Sequence, residues 1–161
     1  MKQVVKAPRA LDGEVKPPGD KSISHRAVIL NGIARGNALV SNFIRSADCL
    51  ATVACMRALG VEIESIKSGG LSIKGVGERG LSEAEDVLSA ENSATTMRLL
   101  AGLLAAQPFF SIISGDESLR SRPMDRVIHP LRLMGAQIWG RHSDSRAPLV
   151  TLDVHGRETS H

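Results

Sequence analysis

The 161-residue sequence contains no tyrosine, three phenylalanines and a single tryptophan. Aromatic platforms on which successive bases could stack are therefore almost missing, which argues against a single-strand nucleic-acid binder. Nor does one charge dominate. Lys+Arg 20 against Asp+Glu 17 leave a formal +3, too mild for a DNA-binding face. No uninterrupted apolar run is long enough to cross a bilayer. The opening MKQVVKAPRALDGEV has basic residues but lacks the apolar core of a signal peptide. Cysteine is scarce as well. Cys49 and Cys55 lie six apart in a stretch that reads as helix, so they fall on different faces and cannot readily bridge each other. No CxxC or His/Cys cluster accompanies them, and no metal site is expected. They read as buried small hydrophobes in a reducing compartment, and the protein as soluble and cytoplasmic.

What is present is an ordinary globular composition, 42% hydrophobic and 23% charged, enough for one domain and short for two. Strands and helices alternate along it. Gln3–Ala7 and Leu11–Val15 read as short strands, followed by the stiff, non-helical Lys16-Pro17-Pro18-Gly19-Asp20. Ser22 to Ala34 carries Ile23, Ala27, Leu30 and Ala34 at helical spacing, with Gly36 as a stop. Ala38–Ile44 reads as a strand and Asp48–Leu59 as a helix ended by Gly60. Val61–Ile66 and Leu71–Lys74 form a hairpin around Ser68-Gly69-Gly70. The same order then returns: a helix from Asn92 to Ala106, a strand at Phe109–Ser114, a helix at Pro123–Met134 stopped by Gly135, and strands at Gln137–Trp139 and Leu149–Val154.

The return is visible in letters. Arg57-Ala58-Leu59-Gly60-Val61-Glu62-Ile63 matches Arg132-Leu133-Met134-Gly135-Ala136-Gln137-Ile138. Ile73-Lys74-Gly75 echoes Val154-His155-Gly156, with the longer loop His142–Pro148 absorbing the difference. Two matches in one order indicate a duplicated unit of helix, strand, helix and two strands. Such units leave faces that neighbours must bury. Two copies followed by the tail Arg157–His161, which offers no strand, cap or apolar face, do not look like a closed structure.

Chemistry gathers at three places near helix starts or strand ends. In Pro18-Gly19-Asp20-Lys21-Ser22-Ile23-Ser24-His25-Arg26, a glycine turn feeds a helix whose free N–H groups and dipole attract an anion. Lys21 and Arg26 add charge there, and the Ser22 and Ser24 hydroxyls can donate to phosphate oxygens. The spacing GxxxxGK[ST] of a P-loop is missing, and a capped helix with surface Lys and Arg reads equally well. In Glu91-Asn92-Ser93-Ala94-Thr95-Thr96-Met97-Arg98 small polar residues open another helix, which alone reads as a cap. Gly115-Asp116-Glu117-Ser118-Leu119-Arg120-Ser121-Arg122-Pro123 brings two arginines suited to carboxylate or phosphate, or forms a solvated loop.

In this order and spacing, PGDKSISHR, NSATTMR and GDESLRSRP closely resemble the 5-enolpyruvylshikimate-3-phosphate synthase family of enolpyruvyl transferases. The resemblance runs through essentially the whole chain and covers only the N-terminal part of the family's usual length. It implies transfer of the enolpyruvyl group of phosphoenolpyruvate to the 5-hydroxyl of shikimate 3-phosphate in chorismate biosynthesis, with release of phosphate and no metal or organic cofactor. The implied fold is α/β, an inside-out α/β barrel of two domains with three helix–strand repeats each and helix N-termini aimed at the cleft. On that scheme residues 1–16 are a strand of the other domain plus a hinge. Residues 17–156 are the N-terminal substrate-binding domain with its third repeat missing, and 157–161 are a tail.

Carried over position by position, Lys21 is implied to contact both anionic substrates, and Ser22 and Arg26 to hold shikimate 3-phosphate. Asn92 and Thr95 fall beside the phosphoenolpyruvate pocket, and Arg122 is implied to grip that substrate, with Arg120 in support. Asp48, near a helix start, has no catalytic counterpart. Ala94 stands where the family usually has Gly. A methyl there should disturb compact phosphoenolpyruvate little and clash with the longer inhibitor glyphosate, so reduced glyphosate sensitivity is expected. The family's acid/base groups come from its C-terminal domain, and none of His25, His129, His142, His155 or His161 takes that role here. The chain alone is therefore expected to be inactive and to need a complementing C-terminal chain. Two other readings compete: a non-catalytic module that binds small anions, and the related UDP-sugar enolpyruvyl transferase. Against the second, Lys21 is followed by Ser rather than Asn, and no matching Cys-bearing loop is present.

Overall fold

The computed structural model describes residues 10, 12–15, 17–67 and 69–152. The first helix, α1 (Lys21–Ile33), begins where Asp20 accepts the Ile23 N–H at 2.7 Å. Strand β1 (Arg35–Val40) follows, then α2 (Ala47–Ala58), capped by Ser46, and the hairpin β2 (Glu62–Ser65) and β3 (Leu71–Val76). The second half contains β4 (Leu88–Ser89), α3 (Ala94–Leu104), β5 (Ser111–Ser114), the short α4 (Glu117–Arg120) and α5 (Asp125–Leu133). It ends with β6 (Gln137–Gly140), a helical turn α6 (Arg141–Asp144) and β7 (Arg146–Leu152).

The strands form two sheets of one topology. The first has the order β1-β3-β2 and the second β4-β5-β7-β6. In each, the strand after the first helix pairs antiparallel with the last strand of the hairpin, which occupies the middle. Helices cover one face of each sheet, and α2 packs on α3 to join the halves. One continuous core results. Val28, Cys49, Met56, Ile63 and Ile73 from the first half meet Met97, Leu100, Ile113, Ile138 and Leu149 from the second.

The duplication extends to hydrogen bonds. Arg57 Nε donates to the Ile63 carbonyl at 2.9 Å, and Arg132 Nε to the Ile138 carbonyl at 2.7 Å. Gly60 and Gly135 both turn the chain out of the preceding helix with left-handed backbone, φ +91° and +93°, a region that favours glycine. Each arginine reaches back from its helix to the strand that this glycine launches, so the matching letters encode one brace used twice.

Several expectations shift. The strand expected at Ala38–Ile44 lies at Arg35–Val40, because its antiparallel partner β3 pairs from Arg35↔Val76 to Val40↔Leu71. The strand expected over Leu11–Val15 is not formed in described residues 12–15, which are exposed and belong to no sheet. A strand is stabilised by its pairing, and residues 12–15 have none. The helix from Asn92 starts at Ala94 and that from Pro123 starts at Asp125. Residues 142–144, expected as loop, take left-handed backbone in a tight turn. Gln3–Ala7, the echo at Val154-His155-Gly156, His161, Ser68 and the 157–161 tail lie outside the described residues. Among the described residues no helix is long and apolar enough to cross a membrane.

Candidate functional site

The starts of α1, α2 and α3 meet at Asp48. Its carboxylate pairs with the Lys21 ammonium, and its backbone carbonyl accepts from Thr96 Oγ1 at 3.1 Å. The loop before α1 is held in place from below. Gly19 lies so close to the Asn42 carbonyl that a Cβ would collide with it, so that residue must be glycine for the loop to approach. Ser24 donates to the Asp20 carbonyl at 2.8 Å and accepts the Ile44 N–H at 3.2 Å. Ser24 is therefore buried and engaged internally, which corrects its expected role as a phosphate donor: its hydroxyl completes the fold instead. Ser22 and Lys21 remain exposed, and their N–H groups precede the capped one, with no intrahelical carbonyl to reach. Arg26 lies exposed one turn on, its guanidinium donating to the Ser22 carbonyl at 3.0 Å.

Behind these groups runs a buried polar chain. His25 Nδ1 lies 2.7 Å from Thr52 Oγ1, and Thr52 Oγ1 lies 2.7 Å from Thr96 Oγ1. Thr96 also bonds Ser93 through its hydroxyl at 2.7 Å and its N–H at 3.1 Å. All four residues are buried. Proton counting assigns the direction. The Asp48 carbonyl only accepts, so Thr96 donates to it. Thr52 then donates to Thr96, and His25 Nδ1–H donates to Thr52. His25 Nε2 is left as a buried acceptor without a partner. Burial lowers the His25 pKa, with Lys21 and Arg26 adding to the effect against the pull of Asp48, so the ring is neutral at pH 7. His25, for which no acid/base role was expected, is a structural link between α1, α2 and α3.

The second cluster sits at α3 and α4. Asn92 bridges it, accepting from Arg122 Nη2 at 2.9 Å and donating to Asp116 Oδ2 at 2.6 Å. Asp116 caps α4 by accepting the Leu119 N–H at 2.7 Å. The Asn92 donor, then the Leu119 N–H and the two arginines, hold its carboxyl below the ordinary range. Arg120 donates to the Gly115 carbonyl at 2.6 Å and is turned onto its own loop. Arg98 Nη2 reaches the Pro123 carbonyl at 3.2 Å. Ala94 and Thr95, both half-buried, open α3 directly behind its cap Ser93.

Continuous bonding thus leads from Lys21 through Asp48, Thr96 and Ser93 to the segment whose Asn92 holds Arg122. Thr52 and Asp116 were not singled out in the sequence and Asp48 was noted there without a role, because their partners lie up to dozens of residues away. Electrostatically the helix starts differ. Asp20 caps α1, and Asp48 and Asp125 lie in the first turns of α2 and α5. Only α3, among the described helices of eight or more residues, has neither an acidic cap nor an acidic first turn. Its positive end is the one left uncancelled.

Cys49 and Cys55 are buried and free. Burial, reinforced by the charge of Glu91, pushes the Cys55 thiol up to about 12, so it is not a nucleophile near neutrality. Among the described residues no three His, Cys, Asp or Glu side chains are grouped to hold a metal ion.

Comparison with known proteins agrees in one direction. A family model described as EPSP synthase (3-phosphoshikimate 1-carboxyvinyltransferase) matches residues 5–160. The chain is 59% identical over 144 residues to a 3-phosphoshikimate 1-carboxyvinyltransferase of Chloroflexus aggregans, covering 89% of this chain and 33% of that protein. It is 52% identical over 158 residues to the protein so named in Herpetosiphon aurantiacus, covering 97% and 36%. An EPSP synthase structure from Acinetobacter baumannii superposes with a TM-score of 0.83 at 45% identity, over 87% of this chain and 32% of that one. The chain spans about a third of the length of these relatives.

Proposed function

The chain belongs to the EPSP synthase family, and on that premise we propose that it builds one half of a cleft that joins phosphoenolpyruvate to shikimate 3-phosphate. In the completed enzyme the enolpyruvyl group passes to the 5-hydroxyl of shikimate 3-phosphate and inorganic phosphate leaves. The observation that carries this reading is the bonded path from Lys21 through Asp48 and Thr96 to the Asn92–Arg122 pair. Two cation-bearing segments far apart in sequence are tied into one wall.

Lys21 lies between the two substrates' anionic groups. Ser22 and Arg26, on the exposed side of α1, take the shikimate phosphate with the free N–H groups of the first turn. Arg122, aimed by Asn92 and Asp116, grips phosphoenolpyruvate beside Thr95 and the uncancelled start of α3. Fixed donors and cations of this kind hold two mutually repelling anions together and lower the cost of their approach. His25 is buried behind the wall, and the carboxylates of Asp48 and Asp116 are tied to Lys21 and Asn92. The proton transfers at the enolpyruvyl methylene and the 5-hydroxyl belong to a complementing C-terminal chain, and this chain alone is inactive. A third repeat would complete the inside-out barrel on the open helix faces, where Ile23 and Leu30 of α1 are exposed. The site of action is the cytoplasm.

Ala94 puts a methyl at the first residue of α3, beside the phosphoenolpyruvate position. This supports weak glyphosate inhibition, because the inhibitor is longer than the substrate whose site it takes. The experiment mixes this chain with a C-terminal chain of the family and follows phosphate release from both substrates, each chain alone serving as control. Turnover is expected only in the mixture, and Lys21→Met or Arg122→Ala should abolish it while the far-ultraviolet spectrum is unchanged. Near-parental activity in either variant removes that residue from the site. In the same mixture Ala94→Gly should tighten glyphosate inhibition, and equal inhibition refutes the role given to the methyl.

A further inference from the structure

Among the described residues five non-glycines have left-handed backbone. Three are consecutive, in the turn at 142–144. The other two, Asn42 at φ 55° and Glu91 at φ 52°, stand alone, one beside each helix start of the wall. Such backbone is uncommon for residues other than glycine and persists only where the surroundings hold it. Both residues are exposed, and each adjoins a buried anchor, Phe43 after Asn42 and Ala90 before Glu91.

The two residues share one contact. The Asn42 carbonyl presses on Gly19 and the Glu91 carbonyl on Gly115, each so closely that a Cβ on the glycine would collide with it. The parts are exchanged between the halves. At α1 the glycine lies in the loop that enters the helix and the left-handed residue in the loop that leaves β1. At α3 the left-handed residue enters the helix and the glycine leaves β5. Hydrogen bonds lock both pairs. Asn42 Nδ2 donates to the Pro17 carbonyl at 3.2 Å, and the Asp116 N–H donates to the Glu91 carbonyl at 2.8 Å. Ser89 Oγ donates to Glu91 Oε1 at 2.9 Å and accepts the Glu91 N–H at 3.3 Å.

Each contact governs a different set of ligand-binding groups. Gly19 lies two residues before Lys21, with the α1 cap Asp20 between them. Glu91 immediately precedes Asn92, which holds Arg122 and Asp116. Resting on the cleft reading, we infer that Asn42 and Glu91 are positioning residues. Each holds one substrate loop through a carbonyl set against a glycine: Gly19 for the groups that take shikimate 3-phosphate, Gly115 for those that take phosphoenolpyruvate. Both act through backbone that must stay left-handed, so the shape of the residue matters more than its side-chain charge.

The test titrates the isotope-labelled chain with shikimate 3-phosphate and, separately, with phosphoenolpyruvate, following the backbone amide shifts of Ser22 and Thr95. Gly19→Ala and Asn42→Val should each weaken shikimate 3-phosphate binding about fivefold, the worth of one misaligned hydrogen bond. Neither should change the dissociation constant of phosphoenolpyruvate. Gly115→Ala and Glu91→Val should do the reverse. A β-branched residue resists left-handed backbone and glycine accepts it, so Glu91→Gly should keep the parental affinity for phosphoenolpyruvate. The substituted positions lie in loops, and circular dichroism should show parental helix content. Gly19→Ala and Gly115→Ala probe the same contacts from the other side should a valine variant fail to fold. A parent chain that binds neither substrate overturns the cleft reading and this inference with it. A parent that binds, with both glycine variants indifferent, overturns the inference alone. So do variants that weaken both substrates equally, or a Glu91→Gly variant as impaired as Glu91→Val.

Discussion

Replacing Thr96 by valine keeps the side-chain shape and removes one hydroxyl from the centre of the polar chain. That hydroxyl lies 2.7 Å from Thr52 Oγ1 and from Ser93 Oγ, and 3.1 Å from the Asp48 carbonyl. In Thr96→Val, Thr52 keeps its bond from His25 but loses its acceptor in a fully buried position. The buried Ser93 hydroxyl, which turns its proton to Thr96, loses its acceptor as well, and the Asp48 carbonyl loses a donor at a partly buried position. A buried polar group left without its partner costs about 1–3 kcal/mol, so these losses together give at least about 2–3 kcal/mol. With a urea slope of about 1–3 kcal/mol per molar, the midpoint should fall by about 1 M, followed by Trp139 emission or circular dichroism. The double variant Thr52→Val/Thr96→Val removes both hydroxyls together. Fewer groups are stranded, and its loss should fall short of the summed single losses by at least about 1 kcal/mol. A Thr96→Val midpoint within about 0.5 kcal/mol of the parent, or strictly additive losses, refutes the chain of donors described above.

Three further outcomes are expected. Burial lowers the His25 pKa in the folded chain, so as pH falls through the unfolded value of about 6.5 the unfolded chain takes the proton first. Stability is therefore complete above that pH and declines below it. Urea midpoints at pH 7.5 and 5.5 should diverge in the parent and less in His25→Asn, which retains a donor for Thr52 but no titration. Gly60→Ala should cost more than Gly135→Ala. Both force left-handed backbone on alanine, worth about 1 kcal/mol, but only the Gly60 methyl would lie 2.7 Å from Ser82 Oγ, whereas at Gly135 nothing lies within 4 Å. Equal midpoints contradict this. Asn92→Ala should raise KM for phosphoenolpyruvate about tenfold in the completed enzyme, the worth of one hydrogen bond to a charged group, with KM for shikimate 3-phosphate unchanged. A shift shared by both substrates refutes the positioning of Arg122 by Asn92.

The framework was legible in the sequence where local rules act alone. Gly60 and Gly135 end helices because their backbone must turn left-handed, and the helices before them were placed to within a residue or two. The repeat was readable because Arg57 and Arg132 perform one task. Element edges set by pairing were not. β1 starts at Arg35 because β3 reaches back to Val76, and β4 exists because two residues meet β5 in parallel. The short α4 was hidden because Asp116 reads equally as loop or cap until Leu119 N–H is seen to reach it. Site connections were hidden by distance along the chain, 44 residues between Thr52 and Thr96. One signal was available. Thr52 interrupts the apolar face that Cys49, Val53 and Met56 define on α2, and a threonine among core positions calls for a buried partner.

The duplicated frame also explains why its two helix starts suit different ligand groups. A helix dipole is worth a fraction of a charge, and a carboxylate in its first turn cancels it. At α1 the Asp20 cap does so, and Asp48 additionally pairs with Lys21. An anion arriving there must compete with a carboxylate. It wins only if it carries more charge or more acceptors than Asp48, as a phosphate dianion with three terminal oxygens does. At α3 the cap is Ser93 and no carboxylate lies in the cap or first turn, so on the proposed function an anion there meets the dipole, the small side chains at 94 and 95 and Arg122 without that competition. On the proposed function, one half of the wall would select a phosphate by competition with Asp48, and the other would take its anion by open backbone. That division follows from where the aspartates sit rather than from the cations alone.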